Sequence, residues 1–177
     1  MKSAVEISHD FLKPVLHKQA ICLDATMGNG KDTKFFLKQG VRKVIAFEIQ
    51  QDVFEKTVQE INDKRLEGYC LSHIFIKDKI NTLLDAVIFN FGYCPGSDNG
   101  ITTEAESSLE AVKQALNCLK IKGRMALVMY PHDAGKQEAQ QVSAYVSSLD
   151  SFHYSVWMLK PMNIENSPWL ILIEKNH

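Results

Sequence analysis

Asp24-Ala25-Thr26-Met27-Gly28-Asn29-Gly30-Lys31-Asp32-Thr33 follows the apolar run Ala20-Ile21-Cys22-Leu23 and leads into a segment, 32–38, with helical spacing of apolar residues. That order reads as strand, glycine turn, helix. Gly28 and Gly30 let the backbone turn sharply and approach a ligand closely, and the helix that follows presents its free amides there. The dinucleotide fingerprint G-x-G-x-x-G needs a third glycine at 33, where this chain has Thr33. An acid four residues before the first glycine suits a different ligand. Asp24, closing the first strand, can accept hydrogen bonds from the ammonium of an amino-acid moiety, and S-adenosylmethionine (SAM) carries such a moiety and no pyrophosphate.

Outward from this turn the unit repeats. Lys43-Val44-Ile45-Ala46-Phe47-Glu48 is a second apolar run ending in an acid, followed by a helical pattern over 51–65. Leu71 to Lys77 reads as a third strand ending at Asp78, Asp85 to Asn90 as a fourth, and Gly123 to Tyr130 as a fifth, with helices expected over 104–120 and 135–149. Upstream, Val5, Phe11, Leu12, Val15 and Leu16 give a short helix over 4–17, which Pro14 can divide. Strands alternating with helices mean an α/β domain with a parallel sheet. The end of the chain breaks the alternation: Phe152 to Leu159 and Trp169 to Ile173 are joined by too few residues for a crossover helix, so this pair is antiparallel. Five wound strands and a terminal antiparallel hairpin give the Rossmann-like seven-stranded sheet of class I methyltransferases, as one domain over 1–177.

Composition agrees with one folded domain and removes several classes. The chain has 177 residues, 45% hydrophobic and 23% charged, with nine glycines and five prolines, which excludes disorder, collagen and fibres. Twenty basic against twenty-one acidic side chains leave no global positive field, so a nucleic acid would meet a local patch. Cys22, Cys70, Cys94 and Cys118 form no CxxC pair and no matched Cys/His spacing, so no metal site is expected and a reduced cytoplasm is the default. The N-terminal residues carry acids and a histidine where a signal peptide needs an apolar run, and no stretch is long enough to span a bilayer.

The strand ends supply the candidate chemistry. Glu48 is placed to accept hydrogen bonds from both ribose hydroxyls of an adenosine, and Asp78 from the adenine amino group, although either acid can simply be solvated. Asn90-Phe91-Gly92-Tyr93-Cys94-Pro95-Gly96 ends the fourth strand at the carboxyl edge, where open α/β sheets bind ligands. Asn90 can hold a nucleophile there and Phe91 or Tyr93 can stack a planar substrate. Tyr130-Pro131-His132-Asp133 ends the fifth strand at the same edge, and His132 or Asp133 can accept a proton near neutrality. Met162, Asn163, Asn166 and Trp169 flank the hairpin loop, where they can contact a base. Basic residues cluster at 31–43 and at Lys120, Lys122 and Arg124; such runs are usually solvated faces.

D-A-T-M-G-N-G-K-D-T at 24–33, F-E-I-Q at 47–50, N-F-G-Y-C-P-G at 90–96 and L-I-L-I-E-K at 170–175 resemble the small bacterial proteins long labelled rRNA methylases. Members of that family act as MnmM-type tRNA methyltransferases, which use SAM to methylate the aminomethyl nitrogen of 5-aminomethyl-2-thiouridine at the anticodon wobble position. The resemblance implies cofactor contacts from Asp24, Thr26, Gly28, Asn29, Gly30, Asp32, Glu48, Gln50 and Asp78. It implies a substrate pocket near Asn90, Gly92, Tyr93 and Tyr130, a tRNA anticodon loop as partner, and a homodimer. The chain departs from the family pattern at Tyr130-Pro131-His132-Asp133, where relatives tend to show Tyr-x-Gly-His. It departs again at Asp78-Lys79-Ile80, set against Asp-Ser-His, and at Asn166-Ser167-Pro168, set against Asn-Pro-Pro.

In such a reaction Asn90 and the Gly92-Tyr93 backbone are expected to position the amine while His132 or Asp133 helps remove its proton. A SAM-dependent methyltransferase acting on rRNA or a small molecule is the nearest alternative. An NAD-binding oxidoreductase, disfavoured by Thr33, and a non-catalytic module that binds SAM or RNA stand further off.

Overall fold

The computed structural model describes residues 2–91, 101–131 and 136–177, with the side chains of 101–106 and 136 left aside. Chain order is α1 (Ala4–Leu12), β1 (Ile21–Asp24), α2 (Lys31–Lys38), β2 (Lys43–Phe47), α3 (Gln51–Ile61), β3 (Leu66–Tyr69), α4 (Ile76–Lys79), β4 (Leu84–Asn90), α5 (Ile101–Cys118), β5 (Leu119–Met129), α6 (Lys136–Ser147), β6 (Tyr154–Leu159) and β7 (Trp169–Lys175). One seven-stranded sheet runs in the order β3-β2-β1-β4-β5-β7-β6. The first five strands are parallel, and β7 lies antiparallel between β5 and β6. This is the expected class I methyltransferase sheet with its terminal hairpin.

Alternate residues of the central strands feed two apolar layers, as a sheet covered on both faces requires. Cys22, Val44, Ala86, Ile88 and Ala126 face Leu12, Phe36 and Leu37 of α1 and α2. Leu23, Ile45, Val87, Phe89, Met125 and Leu127 face the other way, onto Ile76, Val112, Leu116 and Val142 of α4, α5 and α6. Small Ala86 and Ala126 let α1 sit close to the sheet. A capping box, in which Ser3 and Glu6 each accept a backbone N–H of the other, starts α1. Arg124 of β5 ties its far end by donating to the Phe11 carbonyl at 2.8 Å.

The largest departure from expectation is the third strand. Leu71–Lys77 is not a strand: β3 lies earlier, and residues 73–79 form a helical turn running into α4. His73-Ile74-Phe75-Ile76 has β-favouring side chains, but Ser72 accepts a hydrogen bond from Ile74 N and opens the turn. Ile76 and Ile80, four apart, are then the two buried residues. The actual strand, Leu66-Glu67-Gly68-Tyr69, looks weak because it carries a glycine. The sheet needs that glycine, since a Cβ on Gly68 would stand 2.9 Å from the Phe54 ring. In consequence Asp78 does not close a strand; it lies exposed on α4.

Helix ends also shift, for local reasons. The first helix stops at Leu12, with Pro14 in a 3-10 turn, and α3 stops at Ile61 because Asn62 adopts a left-handed cap, φ 42°. Among the described residues no helix is long and apolar enough to cross a membrane, and no group of His, Cys, Asp and Glu could hold a metal ion.

Candidate active site

The carboxyl ends of β1, β2, β4 and β5 come together around the 25–30 turn. Two backbone bonds pin that turn to the sheet, Ala25 N to Ile88 O at 3.0 Å and Met27 N to Phe47 O at 2.8 Å. Gly28 and Gly30 both have positive φ, 48° and 73°, and Gly30 is the N-cap of α2. Gly30 is also a close-approach residue: a Cβ there would lie 2.7 Å from Thr57 Cγ2 and 2.8 Å from Ile61 Cδ1. Thr57 Oγ1 donates to Gly28 O at 2.8 Å, so α3 buttresses the turn from behind.

Three carboxylates line this cradle. Asp24 is fully buried, accepting from Thr33 Oγ1 at 2.6 Å and from Thr26 N at 3.2 Å. Burial, together with the nearby Asp32 charge, pushes its carboxyl up to about 7. Asp32, in the first turn of α2 and 4% exposed, meets His9 Nε2 of α1 at 2.6 Å. Glu48, just past β2, accepts from Gly28 N on Oε2 at 2.9 Å and from Gln50 N on Oε1 at 2.8 Å.

The acceptor side is built from β4 and β5. Asn90 N donates to Thr26 Oγ1 at 2.7 Å, locking the end of β4 to the turn. The Asn90 side chain hydrogen-bonds Tyr130, the residue after β5; burial first and the Asp32 charge second raise the Tyr130 phenol above its usual range. A neutral amide, a neutral phenol and a carboxylate therefore neighbour one another at this edge.

Of the residues read from the sequence, Asp24, Thr26, Gly28, Asn29, Gly30, Asp32, Glu48, Gln50, Asn90 and Tyr130 fall on this edge. Asp78 does not join them from its place on α4. Asn163 and Met162 lie in the exposed loop 160–168, which reaches the same edge because β7 is antiparallel to β5. Gly92, Tyr93, His132 and Asp133 lie outside the described residues.

Three residues here escaped the sequence reading: His9, Thr57 and His73. His73 begins the helical turn after β3 and hydrogen-bonds the Ala25 carbonyl through its ring; burial pushes its imidazole down to about 4, and Nε2 has no partner among the described residues. Its ring meets Phe89 and Phe91 edge-on. With β3 at 66–69, Leu71-Ser72-His73 and not Asp78-Lys79-Ile80 is the stretch that follows the third strand. Correct placement of that strand would have brought His73 to the sheet edge.

Thr33 at the third fingerprint position spends its hydroxyl on Asp24, and the acids beside the α2 N-terminus would repel a pyrophosphate. Fold and site together define a class I methyltransferase. The particular family follows from comparison: a family model described as "Putative rRNA methylase" matches residues 44–175, and the chain belongs to that family. An Arabidopsis thaliana protein named tRNA (mnm(5)s(2)U34)-methyltransferase, chloroplastic, is 31% identical over 98% of this chain and 70% of its own length. A "putative methyltransferase" from Streptococcus mutans, solved in complex with SAH, is 37% identical with a TM-score of 0.88, covering 99% of both chains. An rRNA methylase from Streptococcus thermophilus is 31% identical with a TM-score of 0.84, covering 100% of this chain and 99% of its own.

Proposed function

We propose that the protein, as a single methyltransferase domain, transfers a methyl group from SAM to the aminomethyl nitrogen of 5-aminomethyl-2-thiouridine at wobble position 34 of tRNA. The observation that carries the methyl donor is the acidic glycine cradle. A ligand that brings an ammonium, a sulfonium and a ribose diol, and no phosphate, matches Asp24, Asp32 and Glu48 in charge and in donors. The choice of tRNA rests on the family resemblance and on the name of the Arabidopsis relative. Homodimer formation and a cytoplasmic location belong to the same reading; exposed Trp157, Met158 and Leu159 on the sheet-edge strand β6 support pairing.

Glu48 and Gln50 would hold the ribose, and Gly28, Asn29 and Gly30 would let the backbone close on the nucleoside. Asp32 and Asp24 would face the methionine end. When bound, SAM supplies an electrophilic methyl carbon on a sulfonium. This chain's own work is to present a neutral amine in line with it and exclude water, and orientation of that kind lowers such a barrier by about 7–11 kcal/mol. Asn90 would accept a hydrogen bond from the amine through its side-chain oxygen, with Tyr130 fixing the amide's orientation. The amine must shed a proton on methylation, and that proton would leave to water or to His132 or Asp133.

Nucleosides from aminomethyl-wobble tRNA are analysed by mass spectrometry before and after incubation with the protein and SAM. A gain of one methyl on that nucleoside, abolished in Asn90→Ala and Asp24→Ala, is the expected result. Full turnover in both variants refutes the site, and methyl transfer to rRNA instead of tRNA refutes the substrate.

A further inference from the structure

Helix α1 precedes the sheet, yet it reaches into the cradle through one side chain. His9 Nε2 lies 2.6 Å from Asp32 Oδ1, and the two side chains are only 17% and 5% exposed. The His9 ring is stacked on Phe35 with centroids 3.8 Å apart and planes 3° from parallel. This stack fixes the imidazole, so the hydrogen bond it makes is preorganised. Asp32 is a first-turn residue of α2, and an acid there ordinarily faces water. Here it is turned inward, next to buried Asp24 and near Tyr130. Two acids drawn together in a dry site repel one another, and a donor on the outer face of one of them offsets part of that cost.

We propose that His9 is a positioning residue for the methionine end of SAM, holding the Asp32 carboxylate in place for the ligand's ammonium. This rests on the methyl-donor reading above. It makes α1 part of the cofactor site, with no contact between His9 and the ligand. The same stack ties binding to α1 as a body: α1 is held at one end by its capping box and at the other by Arg124, whose guanidinium lies 4.9 Å over the Phe11 ring.

The test compares ligands that share the adenosine end and differ at the other. Dissociation constants for SAM and for 5′-methylthioadenosine, which lacks the amino-acid moiety, are measured by calorimetry on the wild type, His9→Ala, His9→Gln and His9→Phe. Loss of a hydrogen bond to a charged group predicts that His9→Ala weakens SAM about tenfold and leaves 5′-methylthioadenosine within about twofold. His9→Gln, which can still donate to Asp32, recovers most of the SAM affinity. His9→Phe keeps a ring on Phe35 and drops the hydrogen bond, so it reproduces the selective loss and replaces His9→Ala if that variant does not fold. Equal weakening of both ligands in His9→Phe, or unchanged SAM affinity, overturns the proposal. Wild-type protein that binds 5′-methylthioadenosine but gains nothing from the methionine end overturns it too. Wild type that binds neither ligand refutes the methyl-donor reading and removes this one's foundation.

Discussion

Replacing Gly30 by alanine separates two reasons for a glycine. Gly30 and Gly40 have nearly the same left-handed φ, 73° and 78°. A Cβ on Gly40 would meet nothing within 4 Å, whereas one on Gly30 would meet Thr57 Cγ2 at 2.7 Å and Ile61 Cδ1 at 2.8 Å. Left-handed strain costs an L-residue about 1–2 kcal/mol, and both variants incur it. Crowding of a packed interior adds about 1–3 kcal/mol, and only Gly30→Ala incurs that. The expected costs are thus about 1–2 kcal/mol for Gly40→Ala and about 2–5 kcal/mol for Gly30→Ala.

Urea unfolding at constant m measures both. Thr57→Ser supplies the internal check, because it removes the methyl at 2.7 Å and keeps the hydroxyl that donates to Gly28 O. In the double variant it should recover about 1 kcal/mol of the Gly30→Ala loss, a coupling visible in a double-mutant cycle. Equal destabilisation at positions 30 and 40, or a cycle without coupling, would show that α3 does not press on the turn and refute the close-packed cradle.

Three further outcomes follow from the same geometry. Glu48→Ala should weaken SAM binding about 10–100-fold, the worth of hydrogen bonds to a charged acceptor, in an equilibrium titration. Lys120→Met should destabilise the fold by about 1–3 kcal/mol in thermal or urea unfolding; its ammonium bonds both oxygens of the Asp85 carboxylate at 2.8 Å, with the two side chains 37% and 8% exposed. SAM affinity should rise as pH rises toward 7 and level off above it, because Asp24, held near 7 by burial and by Asp32, must lose its proton to meet a cation. The same raised carboxyl contributes most to stability below its unfolded value of 3.8, and that contribution is lost as pH rises through about 7. Calorimetry in buffers of differing protonation enthalpy reads the proton release, which Asp24→Asn should abolish.

The parts of the fold legible in the sequence are those where pattern and burial coincide. β1, β2 and β4 are short apolar runs buried on both faces, and each ends in or just before a polar residue at the sheet edge. The hairpin was legible from connection length alone. β3 was not, because it is an outer strand whose Leu66, Glu67, Gly68 and Tyr69 are all half-buried, while the better-looking apolar run at 74–76 serves a helical turn. Within the site, Asp24, Glu48 and Asn90 were legible as strand ends. His9, Thr57 and His73 were not, since each joins the cradle by a contact across 23 or more residues that no local periodicity encodes.

The Glu48 carboxylate is held in one orientation by the backbone around it, which suits the diol proposed for it. Each carboxylate oxygen offers two lone pairs, and the backbone amides of Gly28 and Gln50 take one on each oxygen. These bonds fix the side chain's rotamer before any ligand arrives, so a ribose using the remaining lone pairs does not bear the cost of ordering it, about 0.5–1.5 kcal/mol for a flexible side chain. The Gly28 bond also couples the two halves of the cradle: the turn after β1 is held in its left-handed form by the acid after β2. A substitution at Glu48 therefore loosens the glycine turn and, on the proposed function, removes the ribose acceptor with it. This coupling makes Glu48→Gln the sharper variant: it keeps an acceptor for one amide, forces a donor against the other, and so should weaken binding even where the ribose contact itself could survive.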